Sequence, residues 1–191
     1  AVRQLKEAED GNESVEPGAL EFSTVRVDIG IDARIPDSYI EDLAQRLSIY
    51  QRIARMTTEA EIDDIDEEIR DRFGPMPTHV KLLMKSSRMR VMAEAVGVEL
   101  ISARESRATL SLKEPTGGAR APLQKQLGNG VDVGHMQIRV DIDRDDPDWI
   151  DELMAVIEQL KMFQERMIKM MEVAMAAGSG DADASSPMSA G

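Results

Sequence analysis

The sequence predicts an α+β domain in which helices pack on a small, mostly antiparallel sheet and a long helix closes the C-terminal end. Three observations predict it. Apolar residues recur at helical spacing in several segments, Ile62, Ile65, Ile69 and Phe73 being one set. Elsewhere they alternate with polar residues, as Val25, Val27, Ile29 and Ile31 do with Arg26, Asp28 and Gly30. Two short strand-like runs, 98–103 and 108–113, are joined by the hairpin-like Arg104-Glu105-Ser106-Arg107.

In chain order, residues 1–8 read as the end of a preceding helix and 9–21 as a polar, acidic linker with Gly11, Asn12 and Pro17. The domain proper runs over 22–177. After the strand ending at Ile31, Ile35-Pro36-Asp37-Ser38 turns the chain, and Asp37 or Ser38 is placed to cap a helix. Ile40, Leu43, Leu47, Tyr50 and Ala54 form the expected seam of that helix, which ends near Met56. Thr57 or Thr58 caps the next helix, with Glu61 spaced for a capping box. Gly74-Pro75-Met76-Pro77 stops it.

A third helix over about 78–96 carries Val80, Leu83, Met84, Ser87, Val91 and Ala95 on one side and Leu82, Met89 and Val96 on another. Two apolar faces imply packing between layers. Gly97 ends it. A loop at 115–118, a short helix over 119–127, the turn Gly128-Asn129-Gly130 and an alternating strand over 136–142 follow. Pro147 opens the long last helix, which reaches about Ala177 around Ile150, Leu153, Ile157, Leu160, Met167 and Met171. The small, polar stretch 178–191 has the composition of a disordered tail. The core is expected to include Tyr39, Leu47, Tyr50, Ile53 and Phe73.

Composition narrows the function. A formal net charge of -13 opposes unspecific binding to nucleic acid or anionic lipid. The absence of cysteine removes thiolate metal sites and cysteine nucleophiles, and His79 and His135 are too far apart for a ligand pair. No apolar run approaches the roughly 20 residues of a membrane helix. There is no phosphate loop, and nothing singles out a carboxylate pair for acid–base work. The start at Ala1, without Met or a signal peptide, reads as a piece of something longer.

Charge is distributed unevenly. Between Glu59 and Glu68 seven of ten residues are acidic and none is basic. Glu61, Asp64, Glu68 and Asp71 fall on a stripe opposite the isoleucines, which makes them candidate partner-docking residues; the alternative is a solvated face. Packing like charges at i, i+4 costs a few tenths of a kcal/mol per pair, a cost that a basic docking surface would offset. Lys81, Lys85 and Arg88 form a basic stripe, read as internal salt-bridge partners or a solvated face. A nucleic-acid contact would need more charge and stacking aromatics, and the 78–113 region has no Phe, Trp or Tyr. Asp141, Asp143, Asp145 and Glu152 have calcium-loop spacing, but Asp146 stands where that loop needs glycine. Met154, Met162, Met167, Met170, Met171 and Met175 suit core packing in the first half of the last helix, and either core or an adaptable groove beyond Met167.

Several landmarks together resemble the C-terminal domain of the bacterial transcription-repair coupling factor. They are Ile35-Pro36-Asp37-x-Tyr39-Ile40, Arg46-Leu47-x-x-Tyr50-x-Arg52-Ile53-Ala54, Asp71-Arg72-Phe73-Gly74-Pro75-Met76-Pro77, Leu82-Leu83, Arg88-Met89-Arg90 and Gly97-Val98. Ala1-Val2-Arg3-Gln4-Leu5-Lys6 is similar to the end of that family's translocase module. The resemblance implies a non-catalytic, autoinhibitory domain of a cytoplasmic protein. In that family the domain packs on an amino-terminal, repair-recruiting module of the same polypeptide. There it masks the surface for the excision-repair damage-recognition ATPase until RNA polymerase stalled on damaged DNA is engaged. By position the masking contact falls on Glu68 and Asp71. The fragment itself is expected to hold no cofactor, whereas ATP and magnesium belong to the full-length translocase.

Overall fold

The computed structural model describes residues 25–178, so the expectations for 1–8, 9–21 and 179–191 lie outside the described residues. In chain order the elements are β1 (Arg26–Asp28), α1 (Leu43–Arg55), α2 (Glu59–Phe73), α3 (Thr78–Ala95), β2 (Val98–Arg104) and β3 (Arg107–Leu112). A single 3-10 turn (Gly117–Ala119) then leads into α4 (Arg120–Leu127), β4 (Val131–Val133), β5 (Gln137–Asp141) and α5 (Trp149–Gly178). The strands form one sheet in the order β1-β2-β3-β5-β4. β1 runs parallel to β2, and the other three pairings are antiparallel, as the mostly antiparallel expectation requires.

Helix α3 divides the interior in two, which is why its sequence shows two apolar faces. Met89, Met92, Ala93 and Val96 join β2, β3, β5, α4 and α5 in one core. Val80, Met84 and Val91 join Ile49, Ile53, Ile62, Ile65 and Ile69 from α1 and α2 in the other. Ser87 is buried on this helix, and its hydroxyl donates to the Leu83 carbonyl at 2.7 Å, so the polar atom is satisfied.

The first helix departs from expectation. It begins at Leu43, where the Asp42 carboxylate accepts from the Gln45 amide, and not after Asp37 or Ser38. The Pro36 carbonyl accepts from both Tyr39 and Ile40, which closes a separate turn before the helix can start. The helix then presents Ile49, Ile53 and Met56 inward. Leu43 and Leu47 are rotated out, 60% and 51% exposed, so the expected seam and the core assignment of Leu47 are corrected. Tyr39, Tyr50 and Phe73 do pack against the core.

Smaller differences have local causes. Strands β2 and β3 extend to Arg104 and Arg107, leaving Glu105 and Ser106 as the turn, with Glu105 at φ 48°. Helix α5 starts at Trp149, two residues after Pro147, and Gly178, expected in the tail, is its last residue. Among the described residues no helix is long and apolar enough to cross a membrane.

Strand β4 was not anticipated. Val131, Asp132 and Val133 follow Gly130 too briefly to show a period. Its pairing with β5 leaves an edge, and α4 covers it with side chains. Gln124 donates to the Val131 carbonyl at 2.8 Å and accepts from the Val133 amide at 2.8 Å, while Arg120 donates to the Val133 carbonyl at 2.8 Å. A side-chain amide thus stands where a sixth strand would otherwise pair. Gln124→Ala leaves both backbone groups unpaired and is expected to cost about 1–2 kcal/mol in urea unfolding, with faster hydrogen exchange at the Val133 amide.

Candidate docking face on the acidic helix

The orientation of α2 is set by its apolar residues. Ile62, Ile65 and Ile69 are all at or below 1% exposure, and their burial fixes which carboxylates face which neighbour. The N-terminus is closed by a capping box: Thr58 accepts from the Glu61 amide, while the Glu61 carboxylate accepts from the amides of Thr57 and Thr58 at 2.9 and 3.0 Å. These hydrogen bonds, the Thr57 amide first, hold the Glu61 carboxyl below the usual range. The C-terminus stops at Gly74 with φ 81°. There the Tyr39 hydroxyl donates to the Gly74 carbonyl at 2.8 Å, and the Tyr39 and Phe73 rings meet edge-on at 6.2 Å.

The acidic residues on the two flanks of α2 are neutralised within the fold. On the α1 side Glu68 accepts from Arg52 at 2.9 and 2.6 Å and from Arg72 at 2.9 Å. The hydrogen bonds from Arg52 and then Arg72 bring its carboxyl down to about 2. On the α3 side Asp63 pairs with Arg88, and Glu59 pairs with Arg88 at 3.8 Å and with Lys161 of α5 at 3.3 Å. Asp66 pairs with Arg70 on its own helix. Of the basic stripe, Arg88 and Lys85 are therefore internal partners, Lys85 reaching Asp151 at 2.5 Å, while Lys81 is exposed.

What remains is a crest. Asp64, Glu67 and Asp71, at i, i+3 and i+7, are exposed and make no ion pair among the described residues. Of the four carboxylates expected from sequence, the structure leaves Asp64 and Asp71 free, commits Glu61 to the cap and clamps Glu68 between two arginines. Glu67 was missed. Phasing the helix on Ile62, Ile65 and Ile69 alone puts Glu67 nearer the centre of the outward face than Glu68, and that signal was present in the sequence. A shallow depression of about 310 Å³ lies beside the crest, lined by Arg52, Arg55, Met56, Glu61, Asp64 and Ile65. The crest itself suits cationic side chains, whereas the depression balances Arg52 and Arg55 against Glu61 and Asp64. Among the described residues no group of three or more His, Cys, Asp or Glu is placed to hold a metal ion.

Comparison with known proteins gives a consistent picture. The model of the TRCF domain family matches residues 29–120. The transcription-repair-coupling factor of Bacillus subtilis (strain 168) is 28% identical over 177 residues, covering 87% of this chain and 15% of that protein. That of Haemophilus influenzae (strain ATCC 51907 / DSM 11121 / KW20 / Rd) is 36% identical over 105 residues, covering 54% of this chain and 9% of that protein. The chain thus spans less than a sixth of the length of these relatives. A crystal structure of the C-terminal domain of transcription-repair coupling factor is similar at TM-score 0.64 and 22% identity, covering 74% of this chain and 94% of that one. A likeness at that identity establishes the fold.

The clamp on Glu68 makes a pH prediction. Its folded carboxyl titrates near 2 instead of 4.5, so its contribution to stability is fully present above about 4.5. That contribution is lost as pH falls from 4.5 to about 2, because the unfolded chain takes up the proton first. The carboxylate is 32% exposed, which limits the contribution to about 1 kcal/mol. Glu68→Gln should therefore lower unfolding free energy at pH 7 by about that amount and make little difference at pH 2, as read by urea denaturation.

Proposed function

Through residues 29–120 the chain belongs to the TRCF domain family, and on that premise we propose that it is a non-catalytic docking domain. Its acidic crest holds a basic surface of an amino-terminal, repair-recruiting module in the same polypeptide. The observation that supports this reading is the unpaired stripe Asp64, Glu67 and Asp71, left charged and exposed while the other acids of α2 find partners. Asp64 and Asp71 make the direct contacts with Glu67 between them. Glu68 and Glu61 serve the same surface indirectly, one by tying α2 to α1 and the other by fixing where the helix begins.

Magnitudes decide what kind of docking this is. Exposed charge pairs contribute about 0.2–1 kcal/mol each, so three of them supply about 0.6–3 kcal/mol. That is far short of the roughly 8 kcal/mol of a micromolar complex between separate molecules. Within one polypeptide it suffices, because a coupling of 1–3 kcal/mol shifts an intramolecular equilibrium about 5–150-fold. The crest therefore works as a reversible clasp. Docked, it covers the surface that recruits the damage-recognition ATPase and restrains an ATP-driven translocase. Released when stalled RNA polymerase is engaged at damaged DNA, it uncovers that surface. The contact is screened over about 8 Å at physiological ionic strength, so docking weakens with salt.

The test uses the longer polypeptide, with donor and acceptor fluorophores on the amino-terminal module and on this domain. Replacing Asp64, Glu67 and Asp71 together by Lys should reduce the closed population at least tenfold relative to open. Raising salt from 50 to 500 mM should reproduce much of that effect in the unsubstituted protein. Energy transfer that ignores both salt and the three substitutions would rule out the clasp.

A further inference from the structure

Two leucines of α1 stay in water. Outside α5 the exposed large apolar side chains among the described residues are Leu43, Leu47 and Met136. Leu43 and Leu47 stand at i, i+4, so their side chains adjoin. Ile49, Ile53 and Met56 of the same segment face the core. At about 3.6 residues per turn, Leu47 lies about 150° round the helix from that buried side and Leu43 about 110°. Ala44, Gln51 and Ala54 complete the outward side, all of them exposed and none charged. The outward face of α1 is therefore neutral and partly apolar, whereas that of α2 is acidic.

The leucines and the acidic crest look out from one layer. Ile49 and Ile53 of α1 share a core with Ile62, Ile65 and Ile69 of α2 on the Val80, Met84 and Val91 side of α3, so the two helices lie side by side on it. They run antiparallel: Phe73 shares a cleft with Gln45 and Ser48, and Asp64 shares one with Arg52 and Arg55. The Asp71 end of the crest consequently lies across from the turn that carries Leu43 and Leu47. Neighbouring helix axes sit about 10 Å apart, which sets the spacing between the apolar and the charged half. Arg52, which stands between them, is already held by Glu68.

Resting on the clasp reading above, we propose that Leu43 and Leu47 form the apolar half of the docking face. The amino-terminal module meets them with an apolar cleft placed about 10 Å from its basic side chains. The two halves do different work. Charge on the crest selects and orients a basic partner but is screened by salt. Burial of the leucines is not screened, and burying one such side chain shifts an equilibrium about tenfold or more. A second copy of this chain does not fit the same face. Laid on it, the copy sets crest against crest or, turned about, leucines against carboxylates. An anionic lipid surface is repelled by the crest.

The labelled longer polypeptide tests this at about 50 and 500 mM salt. Leu43→Gln with Leu47→Gln should lower the ratio of closed to open about tenfold at both salt concentrations, leaving the relative effect of salt unchanged. Met136→Gln, exposed on the connection between β4 and β5, should close like the parent. The urea midpoint of the leucine variant should equal the parent's, a lowered one assigning the pair to the fold instead. Parental closure in the leucine variant, while the triple crest variant still opens, overturns the leucine contact and leaves the clasp standing. Closure indifferent to salt and to the crest substitutions removes the clasp and this contact with it. Equal loss in Met136→Gln overturns the assignment to α1. In sedimentation equilibrium the 191-residue chain should keep a mass of 21.1 kDa up to about 300 µM. A dimer that the leucine variant dissolves would give the pair to self-association and overturn the proposal.

Discussion

The burial of Ile62, Ile65 and Ile69 is the constraint on which the rest of this surface depends. Each side chain removed from water contributes about 2 kcal/mol, whereas the ion pairs on the flanks of α2 contribute less than about 1 kcal/mol each. The apolar stripe therefore sets the rotation of the helix, and the charges take the positions that rotation assigns. Arg52, Arg88 and Lys161 reach the carboxylates turned toward α1, α3 and α5. The three turned outward have no such neighbour. The crest is what remains after the core has fixed the helix and the adjoining elements have taken the acids within their reach.

The ends of α2 hold that rotation in place. Glu61 closes the N-terminal turn, and at the other end Arg72 lies over the Phe73 ring at 5.1 Å while pairing with Glu68. Tyr39 and Tyr50 bind the 35–40 segment to the same helical layer, Tyr50 by accepting the Ile35 amide at 2.6 Å. Asp71-Arg72-Phe73-Gly74 is in this light mainly a structural motif, with Asp71 its one charge that makes no ion pair among the described residues. Helix α3 ties the layer to the sheet. Its Arg90 donates to the carbonyls of Ile53 and Met56 at 2.9 and 3.0 Å, which finishes the C-terminal turn of α1 from another element.

Much of this was legible in the sequence because period and punctuation agreed. Thr58 with Glu61, Gly74 before Pro75, and Gly97 after an apolar helix each marked a boundary that the structure keeps. The two-faced pattern of α3 announced a helix between layers. What was not legible depended on contacts made at a distance. The Leu43–Leu47 seam looked like core, but the turn closed on Pro36 delays the helix to Asp42 and faces Ile49 and Ile53 inward. Strand β4 is three residues long and is held by Gln124 and Arg120, so no local pattern could reveal it. Of the two partners of Glu68, Arg72 at i+4 was legible in the sequence, but Arg52 is sixteen positions away, and only the packing of α1 on α2 brings it there.

Carboxyl footprinting tests the central account most directly. With a water-soluble carbodiimide and an amine probe, Asp64, Glu67 and Asp71 should be modified quickly in the isolated chain, while Glu68 and Asp66, whose side chains are 32% and 20% exposed, react slowly. In the longer polypeptide at low salt the first three should become protected and the other two should change little. Equal reactivity of all five in the isolated chain, or a crest as reactive in the longer polypeptide as in the isolated chain, would contradict the account.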